Sequence, residues 1–271
     1  MSEIDSPFPV IFLPAAGGEI HDLEAFTLPQ ASAPRVEAIR YPGWQRYAEP
    51  GFSAESLIQE LAAQIATKVP NGPIHMVGVS LGGHLGYAIA LRLQKMGRDV
   101  AGLCAVDSFM VVSSEPSAGW QRRALAEGLG LLRKRRFRDF IRFGRARFWR
   151  LVIRASGGRA AKLLGRMVPR RSSLPGSDPN PVFESELSMR MLIRETAPWL
   201  ASLDREPVAL HVPVALLRTH ATSGDDAAWR RRCPNIQIYE VIGAHHTLFY
   251  PENMGSFREA FTTATREWYR P

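Results

Sequence analysis

Ile74-His75-Met76-Val77-Gly78-Val79-Ser80-Leu81-Gly82-Gly83 is the stretch that decides how this 271-residue chain is read. A short apolar run leads straight into Gly-x-Ser-x-Gly, and an alanine- and leucine-rich helical pattern follows from His84 to Lys95. That order predicts a strand, a sharp turn and a helix. The glycines let the backbone pass close to itself, and Ser80 is held out on the bend. A serine there is a candidate nucleophile, because the helix behind it begins with unpaired N–H groups and the positive end of its dipole, which favour nearby negative charge. The bare pattern arises by chance in about one chain in ten of this length, with Gly and Ser each near roughly 7% of residues. The strand before it, the helix after it and the additional Gly83 separate it from a glycine-rich structural turn.

Composition frames the rest. A chain of this length with 45% hydrophobic residues can bury a substantial core, and it fits one large α/β domain with insertions. Two cysteines, Cys104 and Cys233, are too few for a disulfide framework and read as small packed hydrophobes in a reducing compartment. The chain opens Met1-Ser2-Glu3-Ile4-Asp5, without a charged-then-apolar export signal, and no apolar run approaches the roughly 18 residues of a spanning helix. The expectation is a soluble, cytoplasmic protein.

Charge is unevenly spread. The net charge is +8, yet residues 115–171 hold 17 of the 34 basic residues against three acids, Glu115, Glu127 and Asp139. That segment alone carries +14, leaving the remainder at −6.

Before the Ser80 turn, Pro9–Leu13 reads as a strand broken by the small-residue loop Pro14-Ala15-Ala16-Gly17-Gly18. Arg35–Ile39 alternates like a strand. Ser53 reads as the N-cap of a helix to about Lys68, with Leu57, Ile58, Leu61 and Ile65 on one face. His75 lies on the strand ahead of the serine and reads as a packed histidine. After the turn, Gly97 stops the helix and Val100–Val106 is a buried strand ending in Asp107-Ser108. An acid at the carboxyl end of a strand sits on the rim where such sheets place their ligands. Residues 113–205 do not alternate strand and helix. Phe137, Phe140, Ile141, Phe148, Leu151 and Val152 recur at helical spacing, with Arg138, Arg142, Arg145 and Arg154 off the stripe. Residues 172–181 read as a loop, and Glu184–Leu203 as a helix interrupted near Pro198. Strands are expected again at Val212–Arg218 and Ile236–Ile242, then the loop Gly243-Ala244-His245-His246 and a closing helix from Phe257 to Tyr269.

These elements, in this order, resemble an α/β-hydrolase: a mostly parallel sheet with helices on both faces and a helical lid insertion. The core would comprise residues 1–112 and 206–271, with the arginine-rich lid at 113–205. The chain order Ser…Asp…His expected of that fold is met by Ser80, Asp107 and His245. The resemblance also implies an oxyanion hole from the backbone N–H groups of Ala15, in the loop after the early strand, and of Leu81. His246 remains an alternative base, and Asp225 or Asp226 an alternative acid, since many α/β-hydrolases carry the acid after the following strand.

Within that fold the chain looks like the thioesterase domains of nonribosomal peptide and polyketide synthases. The similarity rests on Phe12–Gly18, Gly72–Gly83, Leu91–Gly97, Val100–Ser108 and the Gly-x-His-x-x-Leu run Gly243–Leu248. It implies that Ser80 is acylated by a chain delivered on the phosphopantetheine of an acyl or peptidyl carrier protein, and that water or an internal nucleophile releases the product. No resident cofactor and no metal are expected. The chain reads either as a free-standing thioesterase or as a domain of a larger synthase. The basic lid keeps three readings: a solvated cationic face, a dock for an acidic carrier or the phosphate of its thioester, or adhesion to an anionic membrane through its aromatic stripe. Nucleic-acid binding lacks a recognition motif. A carboxylesterase or acyltransferase, and a non-catalytic binding protein of the same fold, are the competing functions.

Overall fold

The structure, a computed structural model, describes residues 8–18, 23–26, 35–109, 181–220, 222, 226–245 and 247–269. The amphipathic arginine-rich helix expected around 137–154, the loop at 172–180, and the alternative site residues Asp225 and His246 lie outside the described residues. The chain divides into two compact units: Met1–Tyr41 with Phe52–Met110 and Ile193–Pro271, and Pro42–Gly51 with Val111–Leu192. The 113–205 insertion read from sequence overlaps both.

The first unit is built on six parallel strands, β1 (Val10–Leu13), β2 (Val36–Ala38), β3 (Ile74–Val79), β4 (Val100–Val106), β5 (Val214–Thr219) and β6 (Ile236–Val241), in the order β2-β1-β3-β4-β5-β6. The central strands are apolar along both faces, as a sheet covered on both sides requires. On one face Val10, Phe12, Val77, Val79, Cys104, Val106, Ala215 and Leu217 form a cluster with Phe26 of α1 (Leu23–Phe26) and with Phe257 and Phe261 of the closing helix Met254–Ala264. Against the other, α4 (Leu81–Lys95) packs on β1, β3 and β4 and is itself covered by α3 (Ala54–Lys68). Both cysteines are buried free thiols; burial pushes both thiols up, Cys233 to about 12.

Local chemistry fixes the helix ends. Ser53 and Ser56 exchange reciprocal side-chain to backbone bonds of 3.1 Å at the start of α3. At its far end the Arg98 guanidinium donates to the carbonyls of Ala66 (3.3 Å) and Val69 (2.5 Å).

Some boundaries depart from the sequence reading. Helix α4 begins at Leu81 rather than His84, taking in the two glycines of the turn. Helix α5 (Pro181–Leu203) runs unbroken through Pro198, which removes one backbone donor yet keeps a φ compatible with helix. Asp226–Arg232, to which the sequence reading assigns no element, is helix α6; its concealed face carries Trp229 and Arg232. The closing helix α7 spans Met254–Ala264 and tightens into a 3₁₀ turn at Arg266–Tyr269.

In the second unit, α2 (Trp44–Tyr47) buries Trp44 and Tyr47. The Trp44 N–H donates to Ser188 Oγ at 3.0 Å, and Glu186 pairs with Arg190 at 2.8 Å. Among the described residues no helix is long and apolar enough to cross a membrane.

Arg232 is a cation with no solvent exposure. Taking such a charge out of water is costly unless partners surround it. Its guanidinium lies 4.6 Å from the Trp229 ring centroid and 5.3 Å from that of Tyr87, with Asp204 Oδ1 at 3.7 Å from Nε and His84 Nδ1 at 3.3 Å from Nη1. His84 stacks on Trp229 at 5.2 Å. Burial, with the adjacent guanidinium, pushes the His84 imidazole down to about 3 from its ordinary 6.5. It therefore stays neutral and accepts from Arg232.

Two expectations follow for stability. Phe26 meets Phe12 at 5.0 Å, Phe257 at 5.2 Å and Phe261 at 5.3 Å, so Phe26→Ala should cost about 3–5 kcal/mol in denaturant unfolding. Because His84 takes up its proton in the unfolded chain near pH 6.5 but in the folded one only near 3, its contribution is complete above pH 6.5 and is lost as pH falls towards 3. His84→Gln should flatten the fall in stability between pH 6 and 4 by about 1.4 kcal/mol per pH unit, the slope of one proton. Parallel urea titrations of the two proteins check it, and equal slopes would refute it.

Candidate active site

Ser80, Asp107 and His245 follow the carboxyl ends of β3, β4 and β6, on one rim of the sheet. Hydrogen bonding of the ladder type runs on into the first two. The Ser80 N–H donates to the Val106 carbonyl at 2.8 Å, and the Asp107 N–H to the Leu217 carbonyl at 2.7 Å. Each residue is thus pinned to the neighbouring strand.

The turn at Ser80 is strained. Ser80 (φ 55°) and Asp107 (φ 45°) are the non-glycine residues with positive φ among the described residues. Such a conformation costs about 1–3 kcal/mol and persists where the surroundings impose it. Two glycines explain the imposition. A Cβ on Gly78 would collide with the Gly82 carbonyl, and one on Gly82 with the carbonyls of Leu13 and Pro14. The start of α4 is therefore pressed against the loop after β1, which carries Ala15. The Tyr41 hydroxyl braces that loop by donating to the Pro14 carbonyl at 2.7 Å. Ser80 stands at the N-cap of α4, where a serine ordinarily accepts from the helix's first N–H groups; its side chain makes no capping bond. Leu81, as the first helical residue, has an N–H without an intrahelical acceptor.

Asp107 is 1% exposed, and its two oxygens are divided. Oδ2 lies 2.7 Å from His245 Nδ1. Oδ1 accepts from the Thr222 hydroxyl at 2.8 Å, the Thr219 N–H at 3.1 Å and the Thr219 hydroxyl at 3.2 Å. Burial pushes the carboxyl up, but the bonds from His245, the Thr219 N–H and Thr222 outweigh it and hold the group below its ordinary range. The carboxylate is charged at neutral pH. With Nδ1–H donating to it, a neutral His245 carries its basic lone pair on Nε2.

The imidazole is fixed from other sides too. The Phe109 ring meets it edge-on at 4.8 Å and 85°. Its loop is held by the Ala244 N–H on Thr247 Oγ1 (3.0 Å) and by Asn253 Nδ2 on the Thr247 carbonyl (2.8 Å). The His245 side chain keeps 27% exposure.

The structure brings Asp107 and His245 into contact. Of the alternatives, Asp226 opens α6 and is engaged by Arg218 Nε at 2.9 Å. His75 packs beside Trp268, ring centroids 4.8 Å apart, and burial lowers its pKa. The sequence reading missed Phe109, Thr219 and Thr222; the available signal was two threonines within four residues at the end of the strand beside Asp107. Trp229 was missed as well, and its indole N–H donates to the Ser108 carbonyl at 2.7 Å. Among the described residues no group of three or more His, Cys, Asp or Glu side chains could hold a metal ion.

The thioesterase domain family model matches residues 8–142. Solved structures with this fold include the NocB thioesterase domain from the nocardicin cluster, in covalent complex with a fluorophosphonate nocardicin G analogue, at 20% identity over 95% of this chain and 94% of that one, TM-score 0.57. The Vlm2 thioesterase domain carrying a genetically encoded 2,3-diaminopropionic acid and bound with a dodecadepsipeptide is 17% identical over 97% and 94% of the two chains, TM-score 0.58. The four-domain nonribosomal peptide synthetase AB3403 aligns at 17% identity over 97% of this chain and 20% of its own length, TM-score 0.58. No curated protein matches the chain. The parallel sheet and the sequence match agree: residues 8–142 of this chain match the thioesterase domain family.

Proposed function

We propose that the protein is a serine thioesterase that takes an acyl or peptidyl chain from the phosphopantetheine thioester of a carrier protein. The observation that carries this reading is the 2.7 Å bond between Asp107 and His245 on the rim that also presents Ser80. The family match over residues 8–142 supports the thioester, and neighbours bound with peptide-like ligands suggest the class of acyl chain.

In the proposed reaction Ser80 Oγ attacks the thioester carbonyl while His245 Nε2 takes the hydroxyl proton. The buried charge of Asp107 stabilises the imidazolium and keeps its tautomer. The Leu81 and Ala15 N–H groups, at the positive end of the α4 dipole, receive the oxyanion. Collapse breaks the C–S bond; the electron pair leaves on sulfur, and the imidazolium gives its proton to the departing phosphopantetheine thiolate. Water, or a nucleophile within the acyl chain, then gives its proton to His245 as it attacks the ester carbon; the ester C–O bond breaks and the imidazolium returns that proton to Ser80 Oγ. The site needs no cofactor or metal, and the basic segment at 115–171 is suited by charge to an acidic carrier protein.

Ser80→Ala and His245→Ala should each lower kcat by about 10⁴-fold or more, and Asp107→Asn by a comparable factor, with folding retained by circular dichroism. A fluorophosphonate should add to Ser80 in intact-protein mass spectrometry. Absence of the adduct would favour a non-catalytic binding protein. An adduct accompanied by faster turnover of p-nitrophenyl esters than of matched thioesters would favour an esterase.

A further inference from the structure

Three donors converge on Oδ1 of Asp107, and two of them are side-chain hydroxyls contributed by the end of β5 and the residues just beyond it. A carboxylate turns readily about its terminal torsion, and its two oxygens are chemically alike. Nothing in the covalent structure of an aspartate decides which oxygen faces the imidazole. Here the decision is made by the neighbouring strand.

We propose that Thr219 and Thr222 are positioning residues for Asp107: by holding Oδ1 they fix Oδ2 on His245 and set how tightly it grips the Nδ1 proton. The proposal rests on the serine thioesterase reading for its effect on turnover. Thr222 has one hydroxyl proton and three acceptors in reach, Asp107 Oδ1 at 2.8 Å, the Thr219 carbonyl at 3.0 Å and the Thr219 hydroxyl oxygen at 3.5 Å. The ionised acceptor makes the stronger bond, so the proton goes to the carboxylate. The Thr219 hydroxyl, at 3.2 Å, is a weaker second donor to the same oxygen. Removing Thr222's hydroxyl concentrates negative charge on Oδ2, which raises the proton affinity of both the carboxylate and the imidazole facing it. Both effects move the acid limb of the pH profile the same way, to higher pH. A hydroxyl that merely satisfied a buried oxygen would leave that limb where it was once the protein had folded.

The test compares wild type, Thr222→Val, Thr222→Ser, Thr219→Val and Ser80→Ala as full chains, using an acyl-N-acetylcysteamine thioester and confirming folding by circular dichroism. Thr222→Val should lose about 10- to 100-fold in kcat with little change in KM, its acid limb displaced to higher pH. Thr222→Ser should restore both, and Thr219→Val should show the same change in smaller measure. An unmoved pH profile in Thr222→Val, or a Thr222→Ser protein as impaired as the valine variant, would overturn the proposal. Full turnover by Ser80→Ala would instead overturn the serine thioesterase reading. The link from threonine to imidazole is then read without turnover: the downfield proton resonance of His245 Nδ1, absent in His245→Ala, should shift in Thr222→Val and return in Thr222→Ser. A resonance that ignores Thr222 would overturn the positioning role on its own.

Discussion

Between Gly78 and Gly83 the backbone crosses itself at a separation that leaves no room for a side chain, and the other parts of the rim take their places from that crossing. It forces Ser80 into a conformation that serine avoids. It also presses the first turn of α4 onto the carbonyls of Leu13 and Pro14. The strain persists because the surroundings impose it: the Ser80 N–H is bonded to β4, and α4 packs on the sheet and on α3.

Electrostatic preparation follows the same logic. The sheet delivers Asp107 to a nearly solvent-free position, which by itself would favour the neutral acid. The bond from His245, joined by the Thr219 N–H and the Thr222 hydroxyl, reverses that preference. The imidazole is then gripped by the carboxylate on one edge and met by Phe109 on its surface, while part of it stays open to solvent. A charged acceptor fixed before substrate arrives has no reorganisation left to undergo when an imidazolium forms. Trp229, through the Ser108 carbonyl, ties the chain just past Asp107 to the buried Arg232 cluster.

Much of this was legible in the residues. Val100–Val106 and Ile74–Val79 stand out because buried parallel strands are apolar on both faces, and Ser53 to Lys68 because its cap and stripe agree. Asp107 and His245 could be named because the ends of strands in such sheets carry chemistry. Helix α6 was hidden because its buried face contains an arginine, whose stacking on Trp229 and Tyr87 no hydrophobic periodicity reveals. The early start of α4 was hidden because two glycines depress helix propensity, although packing against the β1 loop selects them there. Thr222 escaped notice because support of a carboxylate depends on where one hydroxyl points, a matter settled by the fold and not by spacing along the chain.

The surroundings of the acid have a consequence for the order in which the sheet assembles. Its hydrogen-bonding pocket is furnished by one strand and occupied from the next, so it belongs to neither. Asp107 and Thr219 stand 112 residues apart in the chain, so the carboxylate acquires its donors only once β4 and β5 lie side by side. A charge that would be costly to bury alone is thus left exposed to water until the long-range pairing of the sheet has been made.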